Sequence, residues 1–356
     1  MRILVLGDSY CPSERFRPAF AELARSAAAP SVDFDDVTDE PGWQPATPSE
    51  RRLKEILGSP EQVIARLDGH EILVVQGAPV TDAVLDAAPI RLVCVARGGP
   101  VNVDLEAAAE RGIPVVTTPG KNANAVAELT IACLVLIARR AVDAIRFIDG
   151  GGEFAIDNYE GAHWLGHDLA GHTLGLVGFG QVGRRVAARA AAFEMRTIAY
   201  DPFMADDIVR EGGAEPAGLD ELLAASDYVS LHARLSADNR GLFDARRFGQ
   251  MRPGAGFVNT ARAELVDETA LHDALASGHL AGAAVDVASG RLAQAPHPLL
   301  GLANVVVLPH IGGATVDTLE TGGRMAAAEV RRFLDGQPLV NVANRTALAA
   351  ARPGAA

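Results

Sequence analysis

Ten short apolar runs recur along the chain and constrain its fold more than any other feature. They are RILVLG (2–7), EILVVQ (71–76), RLVCVA (91–96), PVVTT (114–118), TLGLVG (173–178), RTIAYD (196–201), YVSLH (228–232), GFVNT (256–260), GAAVDV (282–287) and VVVLPH (305–310). Most are apolar at successive positions rather than at every second one, as in strands buried on both faces of a parallel sheet. Alanine-rich helical stretches such as 102–111, 181–194 and 267–278 stand between them. Strands alternating with helices predict an α/β class built from doubly wound parallel sheets.

The runs fall into two groups, 1–121 and 173–310, separated by one long apolar helix expected from about 124 to 147. At 356 residues the chain is long for one hydrophobic core and comfortable for two domains with a cleft between them. ATVDTLETGGRMAAAEVRRFLDGQPL (314–339) reads as a further helix, and the Ala/Pro/Gly-rich end, 346–356, as a disordered tail.

Charge narrows the partners. A net charge of −13 and a pI near 5.2, with no basic stripe, argue against nucleic acid and anionic membrane surfaces. An anionic ligand would therefore need a local cluster of cations. Cys11, Cys94 and Cys133 follow no metal spacing, and no metal is expected; Cys94 and Cys133 read as buried thiols of a reducing compartment. MRILVLGDSY is too short in its apolar part for a secretory signal, and LTIACLVLIA (129–138) is too short to span a bilayer. A cytoplasmic protein is expected.

The second group of runs opens on a dinucleotide signal. In TLGLVGFGQVGRRVAARAAAF, Gly178, Gly180 and Gly183 form G-x-G-x-x-G between a strand and a helix. The first glycine permits a tight turn, the second lets backbone approach a pyrophosphate, and the third packs helix on strand. Asp201 ends the next strand 18 residues beyond Gly183, where an acid would bind ribose hydroxyls and repel a 2′-phosphate. NAD is favoured over NADP.

Three further groups stand at expected strand ends: Arg262 in FVNTARAELVDETAL, Asp286 in GAAVDV and His310 in LPHIGGAT. Ligands of open α/β sheets bind outside the carboxyl ends of the strands, so these groups could share one crevice. Reduction of a 2-oxo acid needs a cation for the carboxylate and a proton donor for the developing alkoxide. Arginine's planar fork suits the first, and histidine the second. Each also has a plainer reading: Arg262 as a surface residue at a helix start, His310 as a loop cap, Asp286 as a helix or turn cap. His163, His167, His172, His272, His279 and His297 carry no site pattern and read as surface or structural.

Together these motifs make the chain resemble the D-isomer-specific 2-hydroxyacid dehydrogenases, of the phosphoglycerate dehydrogenase-like kind. The resemblance runs through RGGPVNVDLEAAAERGIPVVTTPG, NAVAELTIACLVLIAR, GHTLGLVGFGQVG, NTARAELVDE, GAAVDV and HPLLGLANVVVLPHIGGAT. It implies a discontinuous substrate domain, 1–121 plus 317–345, around an NAD-binding Rossmann domain, 122–316, and a homodimer formed through the NAD-binding domains with 124–168 as an arm. It further implies that Arg262 binds the substrate carboxylate, that His310 is the general acid or base, and that Asp286 holds the nicotinamide carboxamide. Gly180, Gln181 and Val182 would wrap the pyrophosphate, with His232, Thr260, Ala261 and Gly312 lining the cofactor cleft. Backbone amides of Gly98 and Gly99 would meet the substrate carboxylate.

The chain also departs from that family. The family's third catalytic residue, a glutamate five positions after the strand-end aspartate, is Arg291 here, and the adjoining proline is Leu292. A carboxylate raises a neighbouring histidine's pKa, whereas a cation lowers it. Arg291 could bind an extra anionic group on the substrate, or swing to solvent. Alternatively, the site could have lost catalysis and bind NAD(H) as a sensor or corepressor. Arg234 stands where the family usually has proline, and either favours a doubly anionic substrate such as phosphonopyruvate or is a surface cation. Arg15 and Arg17, after the first strand, are further candidates for the cleft. Relatives acting on 3-phosphohydroxypyruvate often carry arginine where this chain has Gln76, which disfavours that substrate.

Overall fold

The computed structural model describes residues 1–23, 30–153, 160–289 and 297–350. The chain forms two compact units, Met1–Lys121 with Thr315–Ala356, and Asn122–Ala314.

The first unit holds a parallel sheet of β1 (Arg2–Gly7), β2 (Ser31–Asp36), β3 (Ile72–Val75), β4 (Leu92–Val95) and β5 (Val115–Val116), in the order β2-β1-β3-β4-β5. Its runs are apolar throughout because both faces are covered. Leu4, Leu6, Leu73, Val75, Val93 and Val95 pack with Val84, Ala107 and Ala108 on one side. Ile3, Val5, Ile72, Val74, Leu92 and Cys94 pack with Phe16, Phe20, Ala326 and Val330 on the other. The last two belong to the helix Val316–Leu334, whose N-terminus is capped by the Thr315 hydroxyl accepting from Thr318 N.

Strand β2 is absent from the apolar runs. Its sequence, SVDFDD, alternates acids with apolar residues as an edge strand does, and the acids are engaged by neighbours: Asp33 by Arg2 and His70, Asp35 by Arg66, and Asp36 by Ser13. The expected disordered tail is corrected over 346–350, which belong to the helix Arg345–Ala350. Buried Asn344 anchors it by accepting from Val115 N and donating to Ile113 O. Residues 351–356 lie outside those described.

The second unit holds β6 (Thr173–Val177), β7 (Arg196–Tyr200), β8 (Glu215–Pro216), β9 (Tyr228–Leu231), β10 (Ala255–Asn259), β11 (Leu280–Val285) and β12 (Val305–Val307). All pair in parallel in the order β12-β11-β10-β9-β6-β7-β8. This is the Rossmann order extended by one strand, with its switch point between β6 and β9.

The single helix expected over 124–147 is two, Ala123–Ala138 and Ala141–Asp149. Arg140 breaks it with φ 49°, held by hydrogen bonds from its guanidinium to Asp143 and to the His163 carbonyl. The Ala138 carbonyl accepts from His167 N rather than from a next helical turn. None of the described helices is long and apolar enough to cross a membrane.

Candidate active site

The glycine loop follows β6 at the switch point. Gly178 has φ +98°, and a Cβ there would lie 2.6 Å from the backbone of both His232 and Ala233, so only glycine lets β6 and β9 end side by side. A Cβ on Gly183 would stand 2.3 Å from the Gly178 carbonyl oxygen, which is how closely helix Gln181–Ala192 leaves the loop. Gly180 differs: a Cβ would meet nothing within 4 Å. It is the N-cap of that helix, and no side chain caps it. The open space and the uncapped amides after Gly180 suit a pyrophosphate, as does the helix dipole.

Asp201 follows β7, and its carboxylate accepts from Phe179 N at 2.8 Å and from Phe203 N at 3.0 Å. The acid expected at the ribose thus also ties the glycine loop to the neighbouring strand. His232 follows β9, with Nε2 3.0 Å from the Ser230 hydroxyl. Burial pushes its imidazole down to about 3, so it stays neutral near physiological pH.

Arg262 lies beyond β10 in a turn that Asn259 builds. The Asn259 side chain is buried, accepts from Ala261 N at 3.0 Å and donates to the Arg262 carbonyl at 3.0 Å. The guanidinium is exposed, and among the described residues its one hydrogen bond goes to the Ala261 carbonyl at 2.7 Å. Among the described residues no carboxylate pairs with it, which leaves its fork open to an acid. Thr260, buried beside it, shares a 3.1 Å hydrogen bond with the Thr130 hydroxyl.

His310, three residues past β12, is exposed and takes φ +60°, an unusual backbone state for a non-glycine residue. Asp286, after β11, accounts for it. This fully buried carboxylate accepts from Ile311 N at 2.8 Å and Gly312 N at 2.7 Å, holding the chain just past the histidine. A Cβ on Gly312 would come within 2.8 Å of Asp286 Oδ2. The plainer reading of Asp286 as a turn-holding acid therefore describes its hydrogen bonds, whatever it also does for a cofactor. No partner for the His310 ring is present among the described residues.

Asp201, Gly178, His232, Arg262, Asp286 and His310 thus follow β7, β6, β9, β10, β11 and β12, all at the carboxyl edge of one sheet. Arg234 is exposed two residues past His232, with its carbonyl accepting from Asn239. Gly98 and Gly99 belong to the first unit, where a Cβ on either would meet nothing within 4 Å. Arg17 is engaged elsewhere on that unit, paired with Glu14 at 2.6 Å and lying over the Phe34 ring. Arg291 and Leu292 lie outside the described residues.

Two supporting residues escaped the sequence reading. Asn259 was visible only as part of NTAR. Glu268, in the VDETAL segment, accepts from Ser289 N at 2.7 Å, from the Ser289 hydroxyl, and from His297 Nε2 at 3.0 Å. One acid thereby joins the two flanks of the segment that carries Arg291, and gives His297 a structural role.

Comparison with known proteins agrees with this geometry. Residues 131–312 match the family model described as D-isomer specific 2-hydroxyacid dehydrogenase, NAD binding domain. A D-3-phosphoglycerate dehydrogenase of Archaeoglobus fulgidus is 35% identical over 288 residues, covering 80% of this chain and 54% of that protein. The chain thus spans about half the length of such curated relatives. A glyoxylate reductase of Korarchaeum cryptofilum is 36% identical over 278 residues, covering 78% of this chain and 83% of its own. Among solved structures, a glyoxylate reductase from Paecilomyes thermophila superposes with a TM-score of 0.73 at 26% identity, covering 97% of this chain and 99% of its own. With its glycine loop, strand-end acid and Arg–His pair in place on this sheet, the chain belongs to the D-isomer specific 2-hydroxyacid dehydrogenase family.

Proposed function

We propose that the protein is an NAD-dependent reductase that interconverts a small 2-oxo acid and its D-2-hydroxy acid. One observation carries the reading: an open glycine loop, an arginine with no carboxylate partner among the described residues and a backbone-braced histidine share the carboxyl edge of one sheet. Bound NADH supplies the hydride that reduces the carbonyl carbon.

The chain does the rest. The Arg262 fork takes the substrate carboxylate and polarises the carbonyl, which Asn259 makes possible by fixing the turn that carries it. His310 donates the proton to the carbonyl oxygen as it gains charge, and takes it back in the oxidative direction. Asp286 sets the position of His310 through Ile311 and Gly312, and would hold the nicotinamide carboxamide. Gly180, Gln181, Val182 and Gly183 hold the pyrophosphate, Asp201 the ribose, while His232, Thr260 and Ala261 line the same edge.

Arg234 and Arg291 favour a doubly anionic acid, phosphonopyruvate being one. The exposed Ile145, Phe147 and Ile148 on the helix Ala141–Asp149, with Leu165 beyond it, support a homodimer built through the second unit. Sedimentation of the wild type and of Ile148→Asp tests that assembly.

Loss of NADH absorbance with phosphonopyruvate, hydroxypyruvate and glyoxylate tests the activity. Turnover of at least one acid, abolished in His310→Gln, is expected. Tight NADH binding with no acid turned over would instead assign the chain to redox sensing.

A further inference from the structure

One turn of the helix Ala123–Ala138 lies under both arms of the site. Toward β10, the Thr130 hydroxyl meets the Thr260 hydroxyl at 3.1 Å, and both residues are buried. Toward β12, a Cβ placed on Gly312 would stand 3.5 Å from Val126 Cγ2 and 3.7 Å from Leu129 Cδ2. Those two side chains therefore seat the chain just past His310. Leu129 and Thr130 lie three and four positions beyond Val126 and so share its face of the helix. Buried Asp286 closes the group by accepting from Ile311 N and Gly312 N. All of these residues belong to the second unit.

The direction of the Thr130–Thr260 bond follows from counting hydrogens. A threonine hydroxyl has one proton to give. That of Thr130 goes to the Val126 carbonyl, 2.8 Å away. Thr260 is therefore the donor, and Thr130 Oγ1 is its acceptor. Among the described residues the Thr260 hydroxyl has no other partner. A buried hydroxyl deprived of its acceptor is costly, so this bond fixes the Thr260 side chain. Thr260 sits inside the turn that Asn259 builds by accepting from Ala261 N and donating to the Arg262 carbonyl. Asn259 thus sets the shape of the turn, and Thr130 fixes where the turn stands against the helix.

We propose that Thr130 is a positioning residue for the reaction. Through Thr260 it registers Arg262 against the same helical turn, Val126–Thr130, that seats the His310 loop. It thereby sets the spacing between the group that holds the acid and the group that moves its proton. The inference rests on the reductase reading for the roles of Arg262 and His310, and on the second unit's own geometry for the contact. Spacing of this kind matters to rate: a displacement of about 1 Å made away from the chemistry costs on the order of a hundredfold.

The test compares wild type, Thr130→Val and Thr130→Ser. Valine keeps the shape of the side chain and removes the acceptor, whereas serine keeps the acceptor. Three quantities are measured: amide exchange at Ala261, steady-state kinetics with NADH and whichever of glyoxylate, hydroxypyruvate and phosphonopyruvate the wild type reduces, and NADH binding by fluorescence titration. In Thr130→Val, exchange at Ala261 should quicken. Its kcat/KM for the acid should fall about tenfold to a hundredfold, through both a raised KM and a lowered kcat. NADH affinity should move far less, because the glycine loop follows β6, two places from β10 in the sheet. Thr130→Ser should recover most of each loss. Should Thr130→Val not fold, Thr130→Ala, which also lacks the acceptor and suits a helix, takes its place. Unchanged exchange at Ala261 overturns the inference. A kcat/KM within about twofold of wild type also overturns it, while leaving the reductase reading intact. Equal loss of NADH and acid affinity, or no recovery in Thr130→Ser, assigns Thr130 to general packing and overturns it too. If the wild type reduces none of the acids, the reductase reading falls and the contact is judged by exchange alone. Quickened exchange then upholds Thr130 as the anchor of the turn, and unchanged exchange removes it.

Discussion

The carboxylate of Asp286 accepts the backbone N–H of Gly312 at 2.7 Å, and through that bond β11 governs the chain immediately after β12. Its other oxygen takes Ile311 N. The two bonds hold the residues immediately after His310, the one non-glycine residue of this loop with positive φ. A left-handed histidine persists because the residues after it are held from a neighbouring strand. Asp286 is therefore a positioning residue for His310.

Asp286→Asn keeps the shape of the side chain but replaces one acceptor oxygen with an amide that faces a backbone N–H. We expect a loss of about 1–3 kcal/mol in stability, with faster amide exchange at Ile311 and Gly312. Reductive kcat should fall while NADH binding weakens less. Unchanged exchange at both amides would show that the bonds do not hold the loop.

The glycines of the loop should separate by mutation. Gly178→Ala forces a Cβ against the backbone of His232 and Ala233 at a φ of +98°, and should cost about 1–3 kcal/mol of stability or prevent folding. Gly180→Ala meets no atom within 4 Å. It should leave the unfolding midpoint within about 0.5 kcal/mol of wild type and weaken NADH about tenfold or more, measured by fluorescence titration.

Stability should depend on pH through His232. Its folded value, about 3, lies below the ordinary histidine value. Between roughly pH 6.5 and 3 the unfolded chain therefore takes up a proton that the folded chain refuses, and stability falls as pH falls through that window, by at most about 1.4 kcal/mol per unit. Above pH 6.5 or so the effect vanishes. In His232→Gln this part of the slope should be missing from denaturation midpoints measured between about pH 7 and 5.

Glu268→Gln leaves one oxygen to serve Ser289 and His297 together. We expect a destabilisation of about 1–3 kcal/mol and faster amide exchange at Ser289, whose N–H the carboxylate holds. Exchange at the wild-type rate would show that Glu268 does not hold Ser289.

Arg291→Glu restores a carboxylate at the position where the family carries its catalytic glutamate. Should residue 291 neighbour His310, the alkaline limit of reductive kcat/KM should rise by about one unit. An unmoved limb with an altered KM for doubly anionic acids would place residue 291 at the substrate.

Much of this site was legible before any coordinates. A buried parallel strand announces itself by continuous apolarity, and the glycine spacing after β6 dictates a turn that few other residues can make. The ends of those strands then name Asp201, Arg262, Asp286 and His310. What stayed hidden depended on side chains meeting across the fold. Strand β2, with three acids among its six residues, resembles a solvated loop until Arg2, Arg66 and His70 are brought beside it. The helix break at Arg140 is similar: nothing in AVDAIRF forbids helix, and His167, 27 residues later, takes the carbonyl that would have continued it.

The sequence by itself determined the class of fold and the cofactor loop and named the candidate site residues at the strand ends, because each rests on periodicity or on a local backbone demand. Only the tertiary structure decided how those groups are held. Asn259 bracing Arg262 is a short-range bond, but it forms only where β10 ends buried. Asp286 reaching Ile311 and Gly312 and Glu268 joining Ser289 to His297 are both meetings of residues far apart in the chain. Hydrogen bonds of that kind have no sequence period, since their partners are selected by strand order rather than by spacing.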